Sequence, residues 1–165
     1  MINVALALGG NLGNVPETFS ATVKRLEQNW LYNVVVSSLY SNPAVNCLPG
    51  TPDFINCVMI GKWNKTPEEL ISLTQKIEIA LGRPKAHERN TSRTLDIDII
   101  LFGEMTIFTG KLTIPHPLAK ERVFVLVPLN EIAPDWIFPD TGKTVNAILK
   151  ELLSREPTNQ LRKIN

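Results

Sequence analysis

The chain has only two cysteines, Cys47 and Cys57. They stand neither in a CxxC spacing nor beside a His/Cys cluster, which argues against both a zinc framework and a disulfide scaffold. Both read as ordinary small apolar residues. An excess of charge of one sign is also missing: 17 Lys and Arg face 16 Asp and Glu, a formal net charge of +1. Such a balance gives no general field for nucleic acid or for a membrane surface, so any electrostatic role must come from local clustering. Long hydrophobic runs are absent, and Met1-Ile2-Asn3-Val4 leads straight into a strand-like run rather than a signal peptide, so a cytoplasmic protein is expected. No G-x-x-x-x-G-K-[ST] occurs, and the few aromatics do not alternate in the manner of RNA-recognition strands. What remains is 165 residues, 44% of them apolar, the size of a single domain (1–165) with a full core.

Against that background one segment stands out. Arg93-Thr94-Leu95-Asp96-Ile97-Asp98-Ile99-Ile100-Leu101-Phe102 places two carboxylates two residues apart in an apolar, β-branched run. In a strand, such residues project from the same face about 6–7 Å apart. Ile100 and Phe102 continue that face, while Leu95, Ile97, Ile99 and Leu101 fill the other, so the strand reads as buried at its far end. An amphipathic strand with its acids in water is the plainer reading. A half-buried pair of like charges, however, calls for cations, and Mg²⁺, bound by one or two carboxylates plus substrate phosphates, supplies them. Just upstream, Arg83, Lys85, His87, Arg89 and Arg93 fall within eleven residues, opposed only by Glu88. Alone, this run would be a solvated face. Feeding into paired acids, it suits a metal–polyphosphate complex, with Arg and Lys holding the remaining phosphate charge.

The rest of the chain predicts an α+β domain. Residues 2–8 read as a strand, 9–13 as a Gly-rich turn, and Asn14 starts a helix carrying Phe19, Val23 and Leu26 to about Asn29. Strands follow at 34–40 and 54–60, joined by a loop rich in Pro, Asn and Gly. Thr66-Pro67-Glu68-Glu69 combines an N-cap, a Pro at the first helical position and a capping-box Glu, opening a helix through Leu70, Leu73, Ile77 and Leu81 that stops near Gly82. The acidic strand comes next. This βαββαβ order predicts a ferredoxin-like sandwich, an antiparallel sheet with both helices on one face. A hairpin-like stretch at 104–114, an apolar segment at 123–132 and a helix after Thr144 decorate the C-terminal third.

Taken in order, Gly10-Asn11-Leu12-Gly13, Pro52-Asp53-Phe54-Ile55-Asn56, Arg93-Thr94-Leu95-Asp96-Ile97-Asp98-Ile99, Ile114-Pro115-His116-Pro117 and Glu121 to Leu129 resemble the 6-hydroxymethyl-7,8-dihydropterin pyrophosphokinases of folate biosynthesis. The match runs from Ala5 to about Pro139 and agrees with that family's ferredoxin-like fold. It implies transfer of pyrophosphate from Mg·ATP to the pterin hydroxymethyl oxygen with release of AMP. Asp96 and Asp98 then match two acids that bind a pair of Mg²⁺ ions, and Asp96 is the nearest candidate to take the hydroxyl proton. Arg93 and Arg122 match phosphate-binding catalytic positions. Phe54 and Phe124 match aromatics that stack on the pterin, Asn56 an amide that reads its rim, and Asn42, Pro43 and Val45 a loop that contacts it. Gln75, Glu78, Arg83, Lys85, Lys111, Thr113 and His116 fall at ATP-site positions. From the residues alone, core packing is the preferred reading of Phe124, while Asn56 is as readily a loop cap, Glu78 a solvated charge and His116 a turn residue.

The chain departs from the family at its third loop, where Asn90-Thr91-Ser92 stands in place of Trp-Gly-Pro, and at Asn42 and Asn46, where a Thr and a Gly are usual. The lost Trp motivates a rival reading, a paralogue that binds ATP or pterin with weak or no transfer. An RNA-binding module of the same fold is a third. Partners on the folate pathway are expected only by the resemblance.

Overall fold

A computed structural model describes residues 1–44, 47–82, 92–156 and 160–164. The elements follow in the order β1 (Ile2–Gly10), α1 (Val15–Gln28), β2 (Leu31–Val36), β3 (Tyr40–Asn42), β4 (Phe54–Trp63), α2 (Pro67–Ala80) and β5 (Asp96–Phe102). After them come β6 (Ile107–Phe108), β7 (Thr113–Ile114), α3 (Val123–Ile132), β8 (Ile137–Phe138), β9 (Lys143–Thr144), α4 (Val145–Arg155) and β10 (Arg162–Lys163). The helix starts are where the local chemistry puts them. Asn14 caps α1 by accepting the Glu17 N–H, Thr66 and Glu69 close a full capping box on α2, and Thr144 caps α4 by accepting the Ala147 N–H.

The main sheet runs β10-β3-β4-β1-β5 and is antiparallel throughout. β1 is paired on both sides, with β4 from Ile2↔Trp63 to Gly10↔Ile55 and with β5 from Val4↔Phe102 to Gly9↔Asp96. Along the far side of β4 lie β2 and then β3, end to end. The expected strand 34–40 is therefore two strands. The ladder breaks at Ser37, whose hydroxyl accepts the Val58 N–H at 3.0 Å while its own N–H donates to the Val58 carbonyl at 2.9 Å. A side chain does the work of a carbonyl there, and the chain changes course before Tyr40 resumes pairing.

Period-two alternation sends Val4, Leu6 and Leu8 of β1 to one face, with Cys57, Met59, Ile97 and Ile99. These pack against Phe19 and Leu26 of α1 and Leu70 and Ile77 of α2. On the opposite face Ala5, Val58, Ile100 and Leu101 meet Val125, Leu126 and Leu129 of α3 and Ile148, Leu149 and Leu152 of α4. The sheet is thus covered on both sides. In this second layer α4 is the helix expected after Thr144, whereas α3 goes against local propensity: Val123-Phe124-Val125-Leu126-Val127-Pro128 has the β-branched content of a strand and a proline inside, and burial against the sheet overrides it.

Within β5 the simple alternation expected from the sequence does not hold to its end. Opposite β1 the register slips between Ala5↔Leu101 and Leu6↔Ile99, so Ile100 is an extra, bulged residue. Beyond it the alternation inverts: Phe102 joins Ile97 and Ile99, and Leu101 turns to the face of the acids with Ile100.

Glu131, near the end of α3, anchors that helix to the sheet edge. Its carboxylate accepts the Ser38 N–H at 3.2 Å, the Ser38 hydroxyl at 2.7 Å and the Tyr40 hydroxyl at 2.8 Å, and Lys163 of β10 lies 3.8 Å away. Burial raises the Glu131 carboxyl, but the bonds from Ser38 and Tyr40 outweigh it and hold the group below its usual range. The same contact, added to burial, pushes the Tyr40 hydroxyl up to about 12. A carboxyl depressed in the folded state contributes stability that is full above its unfolded value and is lost as the pH falls through the folded one. Glu131→Gln is accordingly expected to lower the urea stability near pH 7 by on the order of 1–2 kcal/mol. The gap to wild type should close as the pH falls from about 5 to about 3.

Candidate active site

Two cavities open on either side of β5, and Asp98 lines both. The first is walled by Gly9, Asn42, Pro43, Phe54, Asn56, Arg93, Asp96, Arg122 and Phe124. The second is walled by Ile71, Ile97, Ile99, Lys111, Thr113, His116 and Pro117. Four elements converge here: the end of β1, the start of β4, β5, and the N-terminus of α3.

The first cavity is an aromatic slot with a polar rim. Phe54 and Asn56 share a face of β4, and Phe124 stands on the first turn of α3. Asn56 is buried, and its Nδ2 donates to Asn42 Oδ1, whose own Nδ2 donates to the Pro43 carbonyl at 3.0 Å. Asn56 is therefore no loop cap but an oriented amide inside the cavity. Each ring carries a guanidinium: Arg93 Cζ lies 5.8 Å from the Phe54 centroid, and Arg122 Cζ lies 5.6 Å from that of Phe124. Phe124 meets the core only in part, so it serves as wall as well as packing.

The acids do project together. Arg93 Nη1 pairs with Asp96 Oδ2 at 2.7 Å, while Asp98 Oδ2 has Arg122 Nη1 at 3.5 Å and His116 Nε2 at 3.7 Å. Burial, then the neighbouring Asp96 charge, push the Asp98 carboxyl above its ordinary value, against the pull of His116, Arg122 and Arg93. Burial lowers His116, with Arg122 adding to the effect and Asp98 and Asp96 opposing it. His116 Nδ1 accepts the Leu118 N–H at 3.2 Å, so in the neutral ring the proton sits on Nε2, toward Asp98. This histidine faces the site and is not merely a turn residue. Among the described residues no group of three or more His, Cys, Asp or Glu gathers to hold a metal ion.

Other sequence candidates fall differently. Lys111 and Thr113, on the β6–β7 hairpin, line the second cavity. Gln75 is exposed on α2 and lines neither cavity. Glu78 is buried rather than solvated, and its Oε1 accepts the Ile97 N–H at 2.7 Å, on the side of β5 away from β1. Val45, Asn46, Arg83, Lys85, His87, Glu88, Arg89, Asn90 and Thr91 lie outside the described residues. Gly9 also lines the first cavity and Ile71 the second, and nothing in their residue types marks them.

Comparison with known proteins gives a consistent picture. Residues 5–134 match the family model described as 7,8-dihydro-6-hydroxymethylpterin-pyrophosphokinase (HPPK). A Haemophilus influenzae protein named 2-amino-4-hydroxy-6-hydroxymethyldihydropteridine pyrophosphokinase is 34% identical over 166 residues, covering all of this chain and 99% of that protein. Proteins of the same name from Synechocystis and Bacillus subtilis are 37% and 40% identical, over 89% and 80% of this chain and 74% and 79% of theirs. Among solved structures, a Plasmodium falciparum HPPK-DHPS chain superposes with a TM-score of 0.74 at 14% identity, covering 99% of this chain and 47% of that one, a likeness of fold.

Proposed function

Since the chain belongs to the 7,8-dihydro-6-hydroxymethylpterin-pyrophosphokinase family and transfers pyrophosphate in folate biosynthesis, we propose that its two cavities hold the two substrates, the pterin in the first and ATP in the second. Residues 1–165 act as one such domain in the cytoplasm, built on a ferredoxin-like core whose strands lie in the order β5-β1-β4-β2. Nothing in the relatives or the geometry supports a paralogue lacking the activity. The observation that carries the assignment is the Asp98 carboxylate standing on both cavities, with Arg122 and His116 turned toward it.

The flat pterin ring fits between Phe54 and Phe124, and the Asn56 amide reads its polar edge. Its hydroxymethyl group then points toward Asp96 and Asp98. ATP enters over Lys111, Thr113 and His116 with its phosphates directed at the same acids. In the reaction the hydroxyl oxygen gives up its proton, with Asp96 its nearest acceptor by the family resemblance, and bonds to the β-phosphorus; the bond from that phosphorus to the α-phosphate oxygen breaks, and AMP leaves. Arg93, Arg122 and the His116 Nε2–H donate to phosphate oxygens as charge shifts toward the leaving group, so catalysis is positioning and electrostatics without a covalent enzyme intermediate.

Mg²⁺ fits this donor set. Two hard carboxylate oxygens side by side, with no cage of further protein ligands among the described residues, suit an ion that keeps waters and phosphate oxygens as its other ligands. Bound there, it would neutralise phosphate charge and draw electron density from the oxygens it touches. Asp96 and Asp98 would hold it, the family resemblance implying two ions. Turning to Mg²⁺ would release Asp96 from Arg93, freeing that guanidinium for phosphate. Association with other folate-pathway enzymes is suggested by the HPPK-DHPS chains of similar fold.

Phosphorus NMR of the protein with Mg·ATP and 6-hydroxymethyl-7,8-dihydropterin tests the assignment. AMP and a pterin diphosphate are the expected products. ADP, or no turnover, would overturn it.

A further inference from the structure

The Gly-rich turn after β1 contains Asn11, which is 7% exposed and has no part in the chemistry above. Its side chain bonds three other positions. Oδ1 accepts the Arg93 N–H at 2.8 Å, and Nδ2 donates to the Pro52 carbonyl at 3.1 Å and to Ser92 Oγ at 3.3 Å. The backbone N–H groups of Asn11 and Leu12 both donate to the Arg93 carbonyl, at 2.9 and 3.2 Å. The two segments approach this closely because residue 10 is glycine: a Cβ there would sit 2.5 Å from the Thr94 carbonyl oxygen, a backbone atom with no room to swing aside.

Arg93 is thus gripped at both its N–H and its carbonyl by one turn, while its guanidinium reaches Asp96 and stacks on Phe54. Pro52, the third attachment, lies two residues before Phe54. We propose that Asn11 is a positioning residue, fixing the Arg93 backbone so that its guanidinium is presented to the acid pair, and locking that setting to the segment that carries the Phe54 ring. The inference rests on the transferase reading above. Asparagine meets the need for an acceptor and a two-hydrogen donor on one short arm: aspartate lacks the donor, and serine is a bond too short for the Arg93 N–H.

A role exercised through Arg93 has a signature that simple structural damage lacks. Asn11→Ala is expected to lower kcat for AMP formation by about tenfold or more, since small misplacements of a phosphate-binding group are costly. In an Arg93→Ala background the same change should cost less than about threefold, because the group through which it acts is gone. Asn11→Asp keeps the acceptor for Arg93, so it should recover most of kcat while the pterin KM rises with the loss of the Pro52 bond. Circular dichroism and thermal melting confirm that each variant is folded; if Asn11→Ala is not, the cycle is run with Asn11→Ser. Equal losses in the two backgrounds, or wild-type turnover by the folded variant, would overturn the inference. Absence of AMP from the wild-type protein would instead overturn the transferase reading, so the two failures are told apart.

Discussion

Asp98→Ala is expected to lower kcat by on the order of 10²–10³, about 3–4 kcal/mol of transition-state stabilisation, while leaving the protein folded and no less stable. The first half follows from position. Asp98 is the side chain shared by both cavities, and Arg122 and His116 are oriented toward its Oδ2. Removing it takes away one of the two carboxylates proposed to hold Mg²⁺ and leaves two donors without the anion that orients them. The second half follows from the cost of keeping the charge. The Asp98 carboxyl is pushed up by burial and by Asp96, so the folded chain gains little from its ionised form. A loss of activity with a thermal midpoint equal to or above that of wild type is the pattern of a group retained for function at the expense of the fold. AMP production and a melting curve read both halves. Near-normal turnover by folded Asp98→Ala would remove Asp98 from the metal site.

Arg122→Ala is expected to be nearly as damaging, about 10²-fold or more in kcat/KM, and Arg122→Lys to rescue little of it. Arg122 does two things at once. Its Nη1 lies 3.5 Å from Asp98, and its guanidinium plane covers the Phe124 ring at 5.6 Å. It therefore joins the aromatic slot to the acids through one rigid planar group. A lysine keeps the charge but has neither the fork that binds two phosphate oxygens nor the flat face that stacks on Phe124. The split between constants distinguishes the roles: Ala should lower kcat and raise the pterin KM together, whereas Lys should restore part of the electrostatic effect and leave the pterin KM high. If Lys proves equivalent to Arg in both constants, the stacking half of the argument fails.

Local signals in the sequence were enough for the helix starts at Asn14, Thr66 and Thr144, and for the juxtaposition of Asp96 and Asp98 by simple alternation. Each depends on residues within one turn or one pleat of one another. The errors came where distant segments decide. Ser37 breaks a strand because its hydroxyl meets the Val58 amide from another part of the sheet. The bulge at Ile100 is a relation between β5 and β1, and no property of β5 alone announces that Phe102 and Leu101 change sides. Glu78 looks like an outward charge on α2 until β5 brings the Ile97 N–H to it. Asn11 looks like a turn residue until Pro52, Ser92 and Arg93 surround it. The resemblance to a family supplied the aromatic slot, which composition and periodicity could not separate from core. It also offered Gln75, exposed on α2 one turn beyond Ile71, which lines the second cavity.

The pairing of β1 has a consequence for how the chain reaches this state. Ile2 finds its partner in Trp63 and Val4 in Phe102, so the central strand has no neighbour within its own stretch of sequence. During synthesis its second edge must wait for roughly a hundred residues, about 5–20 s at elongation rates of about 5–20 residues per second. Until β4 and the helices that cover it are made, its alternating Val4, Leu6 and Leu8 stay exposed, which makes the nascent N-terminus a natural client for chaperones. The strand that completes the pairing is β5, which carries Asp96 and Asp98. The acid pair is therefore set in place only when β5 docks on β1, and a ribosome-bound chain truncated before Phe102 should show β1 unprotected along its β5 edge and no acid pair in place.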